Sequence, residues 1–430
     1  MGLIYQFLKT VVKIAQWIYY QRTTIVNREQ LRFDGPAIVV SNHPCTLMDP
    51  LNVGSRAKEP FYFLANAGLF KSKFGNWFFN IFYCIPIERT EDTGGKPLDN
   101  AQNFARCDAH LLRGGTLYIA PEGTSWMKRH LHSLKTGTAR IAFNSEQEHD
   151  YNLNLKIVPV GLTYSDPTAF RGKLLVNVGT PFYVRDFREL YAENPNKAVK
   201  LSTKMLEERL RTLIIDTLDE EEDHFVKQIE EIVNNSEPLQ PEAEFNRTKK
   251  LIAALREWKT ADETAYIAFQ QATDSYFEHL KKANTSDDAV AYSPDALLLS
   301  KLLLLLIGLP IFLYGFLNHF FPAFVPFLIA TLLVKRAGLY IGYTSTVKFA
   351  LGVFTIPLFY WLQSELVESW FSTPVSWWYL LSLPVGGWLA WEYWVFLKKT
   401  GKRLKFSFLK EKQTLKESRG KMVNRISDFL

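Results

Sequence analysis

The stretch Ala37-Ile38-Val39-Val40-Ser41-Asn42-His43-Pro44-Cys45-Thr46-Leu47-Met48-Asp49-Pro50 decides how the chain is read. Its first four residues form an unbroken apolar run, the pattern of a strand covered on both faces. A histidine stands at the end of that strand and a proline follows it, where a helix would begin. An aspartate six residues beyond His43 can hydrogen-bond one imidazole nitrogen and fix the tautomer, so that the other nitrogen can accept a proton. In a regular helix, six steps of about 100° would put the two side chains on different faces. Contact between them therefore requires the segment to bend, and spacing alone leaves that open.

Outward from this stretch the chain alternates short apolar strands with helical stretches. Expected strands are Ala37–Ser41, Tyr62–Ala65, Ile81–Ile87, Thr116–Ala120, Lys156–Leu162 and Leu174–Gly179, with helices over Asn100–Arg113 and Thr138–Glu146. The alternation predicts an α/β domain over residues 24–185, with a central, mostly parallel or mixed sheet flanked by helices. Residues 186–294 change to Glu, Lys, Leu and Arg at helical spacing, broken at Ser236–Pro241, and are expected to be a polar helical region.

The 430 residues are 47% hydrophobic and 22% charged, with a mean hydropathy of −0.08. That bland average hides two unlike parts. Between Asp295 and Leu397 the charged residues are Asp295, Lys301, Lys335, Arg336, Lys348, Glu365, Glu368 and Glu392, four of each sign. The formal charge of +6 therefore sits on the rest of the chain. A disordered chain, a collagen-like chain and a wholly soluble enzyme are excluded. The apolar segments Leu297–Phe316, Phe320–Val334, Val347–Leu362 and Trp377–Leu397 are read against the ~20 residues needed to cross ~30 Å of hydrocarbon. They give a transmembrane region over 295–397 with about four spans, with aromatic residues such as Trp377, Trp378 and Trp394 near the expected interfaces. Residues 398–430 form a basic tail, expected on the cytoplasmic side. At the other end, Leu3–Tyr20 carries Gln6, Lys9, Lys13 and Gln16 on one helical stripe. Two lysines at a bilayer centre would cost about 2.5–3.5 kcal/mol each. Residues 1–23 are therefore expected to be an amphipathic helix lying in the membrane plane rather than a span or a cleaved signal. Three cysteines, Cys45, Cys84 and Cys107, are too few and too scattered for a disulfide framework or a zinc site. No metal is expected, since His130 and His132 lack a carboxylate at ligand spacing. No basic block interleaved with aromatics suggests nucleic acid.

Three further blocks stand with the histidine stretch. Ile85-Pro86-Ile87-Glu88-Arg89 ends a strand with a guanidinium, suited to holding a phosphate bidentately. Ile119-Ala120-Pro121-Glu122-Gly123-Thr124-Ser125 closes another strand with a turn that can present backbone N–H groups and hydroxyls to a polar head. Ile157-Val158-Pro159-Val160-Gly161 puts a proline inside an apolar strand, where it removes a ladder donor. Read singly, these could be a surface salt bridge, an ordinary turn and an edge strand.

In this order the four blocks resemble the glycerol-phosphate and lysophosphatidic acid acyltransferase family (PlsC-like), over about Gln30 to Tyr183. The commonest family spacing has four residues between His and Asp. Five stand here, as in a branch that includes glycerol-3-phosphate acyltransferases with added C-terminal membrane helices. Ser125 also replaces a basic residue common at that place, so its charge must come from Lys128, Arg129 or Lys135. The resemblance implies that residues 24–185 are an acyltransferase domain, with His43 as general base, Asp49 orienting it, and Arg89 gripping the acceptor phosphate in a pocket shaped by Glu122, Gly123 and Thr124. Asn42 and Pro159 would support the site. It implies a membrane-bound enzyme that moves a fatty acyl group from acyl-CoA or acyl-carrier protein, the co-substrate, to a lysophospholipid hydroxyl in phospholipid biosynthesis. No bound cofactor is implied. The alternative acceptors are glycerol 3-phosphate or dihydroxyacetone phosphate. A non-catalytic lipid-binding membrane scaffold is the alternative of another class. An integral membrane protein with its catalytic domain on the cytoplasmic face is expected.

Overall fold

In a computed structural model of the chain, residues 3–89, 100–292 and 298–428 are described. The boundary expected between 294 and 295 lies outside them. The chain divides into two compact units, one of Met1–Asp216 with Ala330–Phe349, the other of Thr217–Ile329 with Ala350–Leu430.

The first unit is built on an eight-stranded sheet. Its strands are β1 (Arg22–Val26), β2 (Ala37–Ser41), β3 (Phe61–Asn66), β4 (Cys84–Ile87), β5 (Thr116–Ile119), β6 (Lys156–Tyr164), β7 (Lys173–Val178) and β8 (Phe182–Tyr183). The order is β1-β7-β6-β2-β5-β3-β4, with β8 paired to β6. Its helices are α1 (Leu3–Tyr19), α2 (Met48–Gly54), α3 (Lys73–Ile81), α4 (Ala101–Leu112), α5 (Gly137–Glu148), α6 (Arg188–Glu193) and α7 (Pro195–Leu213). The α/β expectation holds, and the sheet is mixed, because β7 and β8 run antiparallel to β6. Two expectations change. Ile81 closes α3, so the expected strand Ile81–Ile87 shrinks to β4 after a turn in which Tyr83 takes a positive φ. The strand Arg22–Val26, too polar to stand out from its flanks, was not expected.

β2 lies between β5 and β6 and is parallel to both. Ile38 and Val40 join a core with Leu111 of α4, Phe143 of α5 and Leu210 of α7. Val39 points to the opposite face and is equally buried. The continuous apolar run thus reflects cover on both sides. Because β2, β3, β4, β5 and β6 are mutually parallel, their carboxyl ends share one edge, where ligands bind in open α/β sheets.

The second unit contains α8 (Glu220–Ser236), α9 (Pro241–Ala261), α10 (Glu263–Lys282), α11 (Asp287–Ala291) and most of α12 (Leu298–Arg336) and α13 (Tyr343–Trp370). It ends with α14 (Thr373–Ser407) and α15 (Lys412–Ser427). The break expected at Ser236–Pro241 falls between α8 and α9, with Pro241 opening the second helix. A buried Asp287 accepts from Arg419 Nε (2.8 Å), Tyr276 Oη (2.7 Å) and Asn235 Nδ2 (3.0 Å), joining α8, α10, α11 and α15.

Where four apolar spans are expected, the described residues hold three long helices. Leu297–Phe316 and Phe320–Val334 are parts of one helix, α12, which runs through Pro310, Pro322 and Pro326. Each proline strips the carbonyl four residues earlier of its donor. Gln363 Nε2 donates to the Asn318 carbonyl freed by Pro322 (2.8 Å), and Thr355 Oγ1 to the Pro322 carbonyl freed by Pro326 (3.1 Å). Substituted donors of this kind let prolines persist in apolar helices. Two helices, Ser300–Arg336 and α13, are long and apolar enough to cross a membrane, and few residues of their most apolar stretches are buried.

One close approach in the first unit gives a direct test. A Cβ on Gly161 of β6 would meet the Leu213 carbonyl of α7 at 2.0 Å. Gly161→Ala is expected to cost about 1–3 kcal/mol or more through overpacking, read as a lower thermal or denaturant midpoint of the detergent-solubilised protein.

Candidate active site

The site begins where β2 runs out. Asn42 extends the strand with its side chain, Nδ2 donating to the Leu162 carbonyl (3.0 Å) and Oδ1 accepting from the Leu162 N–H (2.8 Å). The chain then bends through Thr46, whose φ of 42° is left-handed, before α2 starts. That bend supplies what a straight helix could not. His43 Nδ1 lies 2.9 Å from Asp49 Oδ2, with the histidine side chain 20% exposed and the aspartate wholly buried. Cys45 N–H donates to the same Oδ2 (2.7 Å), and Tyr164 Oη donates to Oδ1 (2.6 Å). Three donors thus surround a carboxylate that water does not reach. With Nδ1 engaged, Nε2 is the nitrogen able to take up a proton.

Behind Asp49 lies a polar cluster that motif reading missed. Asn52 Nδ2 donates to Tyr164 Oη (3.0 Å) and Tyr20 Oη (2.8 Å), and its Oδ1 accepts from Gln16 Nε2 (3.0 Å). Ser55 and Arg56 donate to Gln16 Oε1 (2.8 and 3.2 Å). Burial draws the Arg56 guanidinium down to about 10, so it remains charged at neutral pH. The sequence signal was slight: a tyrosine ending an apolar strand, and a polar stripe on α1. That stripe is split by the fold. Gln16 and Lys9 face the protein, the latter donating to the Ala57 carbonyl (2.6 Å), while Gln6 and Lys13 are exposed.

The other blocks converge on the His43 loop. Glu122 Oε1 accepts from His43 N–H (2.8 Å) and Oε2 from His132 N–H (3.2 Å), so this buried carboxylate shapes the site by bracing its loops. Burial pushes its carboxyl up from the usual range, opposed by the two N–H donors. Ser125 Oγ donates to the His43 carbonyl (2.9 Å) and accepts from Thr46 N–H (3.2 Å), spending its hydroxyl on loop geometry. Arg89 reaches across from the end of β4 to donate to the Gly123 carbonyl (2.7 Å). Gly123 has a φ of +77°, and a Cβ there would lie 3.4 Å from Lys135 Cγ. Arg89 and Lys135 therefore both border Gly123, with Thr124 exposed beside them. Lys128 instead lies over the Trp126 ring (4.9 Å).

Pro159 has a clear backbone reason. β6 pairs with β8 at Lys156 and Ile157 and with β7 from Val160 onward, so residue 159 falls in the gap between partners. Its carbonyl accepts from Gly179 N–H (2.8 Å), which places its missing N–H on that same side, where no ladder bond is lost. Cys45 is buried, its Sγ 3.2 Å from the Pro167 carbonyl, and burial lifts its thiol well above the usual range. It packs rather than attacks. Away from these loops, Asp108, Glu148 and His149 bring ligand atoms within 4.8 Å of one another, with His149 Nε2 3.4 Å from Asp108 Oδ2.

Residues 22–163 match the family model described as Acyltransferase. That segment belongs to the Acyltransferase family. Glycerol-3-phosphate O-acyltransferase 1 of Saccharomyces cerevisiae is 33% identical over 99 residues, 23% of this chain and 13% of the yeast protein. The chloroplastic 1-acyl-sn-glycerol-3-phosphate acyltransferase LPAT1 of Arabidopsis thaliana is 28% identical over 109 residues, 25% and 29% of the two chains. The matches thus span less than a third of these curated relatives. The crystal structure of the 1-acyl-sn-glycerophosphate acyltransferase PlsC from Thermotoga maritima aligns over 47% of this chain and 79% of its own, at 19% identity and a TM-score of 0.33. The matched acyltransferase domain contains His43, Asp49, Arg89, Glu122–Thr124 and Pro159, and stops one residue short of Tyr164.

Two tests follow from this geometry. Tyr164→Phe keeps the ring and removes one donor to a buried carboxylate, and is expected to lower turnover about 5- to 100-fold with little change in melting temperature. The three cysteines are all buried, with Cys84 and Cys107 pushed by burial to about 12. Alkylation followed by mass spectrometry should find all three unmodified in the native protein at neutral pH and modified after denaturation.

Proposed function

We propose that this chain transfers a fatty acyl group from an acyl thioester to a hydroxyl of a glycerol-phosphate acceptor. The observation that carries the reading is the 2.9 Å contact between His43 Nδ1 and the buried, fully donor-surrounded Asp49, at the carboxyl end of β2. A partly exposed imidazole held by such a carboxylate is built to act as a base. Nε2 takes the acceptor hydroxyl proton while the oxygen attacks the thioester carbonyl. The C–S bond then breaks, and the leaving thiolate receives the proton back from the imidazolium. Asp49 orients His43 and stabilises its charged form.

The guanidinium of Arg89 and the ammonium of Lys135, both bordering Gly123, supply the charge for the acceptor phosphate. In this reading Lys135 replaces the basic residue that Ser125 displaces. The acceptor is a 1-acyl-glycerol 3-phosphate. Glycerol 3-phosphate or dihydroxyacetone phosphate is the alternative, favoured by the five residues between His43 and Asp49. Acyl-CoA or acyl-carrier protein is the donor, and no bound cofactor or metal takes part. Two helices long and apolar enough to span, and an apolar face of α1 turned outward, support an integral membrane protein working on lipid at the bilayer surface. The basic residues Lys398, Lys399, Lys402, Arg403 and Lys405 support a cytoplasmic face for the catalytic domain.

Radiolabelled acyl transfer by the purified protein in detergent tests the reading. His43→Ala is expected to lower turnover about 10²–10⁴-fold. Arg89→Ala and Lys135→Ala are expected to raise KM for phosphorylated acceptors far more than for the acyl donor. Unchanged turnover in His43→Ala across lysophosphatidic acid and glycerol 3-phosphate would refute it.

A further inference from the structure

Residues 339–349 follow α12 and open α13, far outside the segment that matches the acyltransferase family. They nevertheless belong to the first unit, and they are fastened to its loops. Gly338 has a φ of +65°, which lets the chain leave the end of α12. The Tyr340 ring then folds over Gly342, where a Cβ would lie 2.4 Å from the ring, so this close turn needs a glycine. Tyr340 Oη accepts from Met127 N–H (2.6 Å), in the loop that follows Pro121–Ser125. Thr346 Oγ1 lies 2.7 Å from Thr46 Oγ1, and the Gly342 carbonyl accepts from the same Thr46 hydroxyl (3.3 Å). Ser345 Oγ donates to the Pro167 carbonyl (2.5 Å), the group that also meets Cys45 Sγ. Lys348 Nζ donates to the Thr168 carbonyl (3.1 Å). Both Thr46 and Ser345 are buried.

These bonds end on the part of the chain that sets His43. Thr46 is the left-handed residue that lets Asp49 meet His43, and its N–H bonds Ser125 Oγ, which bonds the His43 carbonyl. Thr346 is therefore connected to the backbone of His43 through Thr46 and Ser125. We propose that Tyr340 and Thr346 are positioning residues for acyl transfer, holding the His43 loop from a segment carried between two apolar helices. This rests on the reading of the dyad given above. It makes the segment that joins α12 to α13 a working part of the site.

The test uses the full chain in detergent with radiolabelled acyl donor and a lysophosphatidic acid acceptor. Thr346→Val removes the hydroxyl at constant volume and is expected to lower kcat about 5- to 50-fold, with both KM values held within about twofold. Thr346→Ser keeps the hydroxyl and is expected to restore kcat to within about twofold of wild type. In a Thr46→Ala background, Thr346→Val is expected to add little further loss, because the shared contact is already gone. Tyr340→Phe is expected to lower kcat in the same way. Wild-type kcat in Thr346→Val while His43→Ala is inactive would overturn this proposal and leave the acyl-transfer reading intact. Equal losses in Thr346→Ser and Thr346→Val, or losses that multiply in the Thr46→Ala background, would overturn it too. Absence of transfer by the wild-type protein with every acceptor would instead overturn the reading beneath it.

Discussion

A carboxyl group out of reach of water is costly to bury unless donors replace its hydration, and the carboxyl edge of the sheet is organised around meeting that demand for Asp49. Its three donors come from three places: His43 after β2, the Cys45 backbone in the bend, and Tyr164 at the end of β6. To bring them together the chain must turn sharply between His43 and α2. Thr46 makes that turn in a conformation costly for a β-branched residue. Such a conformation persists only where its surroundings over-determine it, and here Ser125, Gly342 and Thr346 all bond Thr46.

The four sequence blocks therefore divide by task. His43 and Asp49 form the 2.9 Å pair proposed above as the base and its orienting carboxylate. Glu122 and Ser125 look like ligand groups in sequence, yet each spends its side chain on the backbone of the His43 loop. Arg89 and Lys135 both border Gly123. Asn42 and Pro159 act through the ladder, one by imitating a strand residue and the other by sitting where β6 changes partners.

The legible features in the sequence are those with strong local signatures. Ala37–Ser41 reads as a doubly covered strand because its apolar run is unbroken, and the strand ends carry the motif residues at the shared edge. The illegible ones depend on contacts distant in sequence. Tyr164 looks like any strand tyrosine until Asp49, 115 positions away, lies 2.6 Å from its hydroxyl. Prolines 322 and 326 suggest a break, but Gln363 and Thr355 donate to the carbonyls they strip. Nothing in the run Tyr340–Thr346 marks it as part of a site, since its partners are near residues 46, 127 and 167.

The N-terminal helix shows how such distant contacts change the meaning of a pattern. An amphipathic helix on a soluble domain buries its apolar face, yet α1 buries Lys9, Gln16 and Tyr19 and leaves Trp17 78% and Ile4 70% exposed. Covering side chains of that size is worth about 1.5–3 kcal/mol each, a stabilisation that the residues packed on α1 in its own unit do not supply. Its inward attachments are polar instead: Lys9 donates to the carbonyls of Ala57 and Lys58 just past α2, and Gln16 bonds Asn52 within it. Asn52 in turn donates to the tyrosine that holds Asp49. The helix that turns an apolar face outward and the buried Asp49 carboxylate thus share one hydrogen-bonded cluster. Any displacement of α1 that moved Gln16 would take a partner from Asn52, two hydrogen bonds from Asp49.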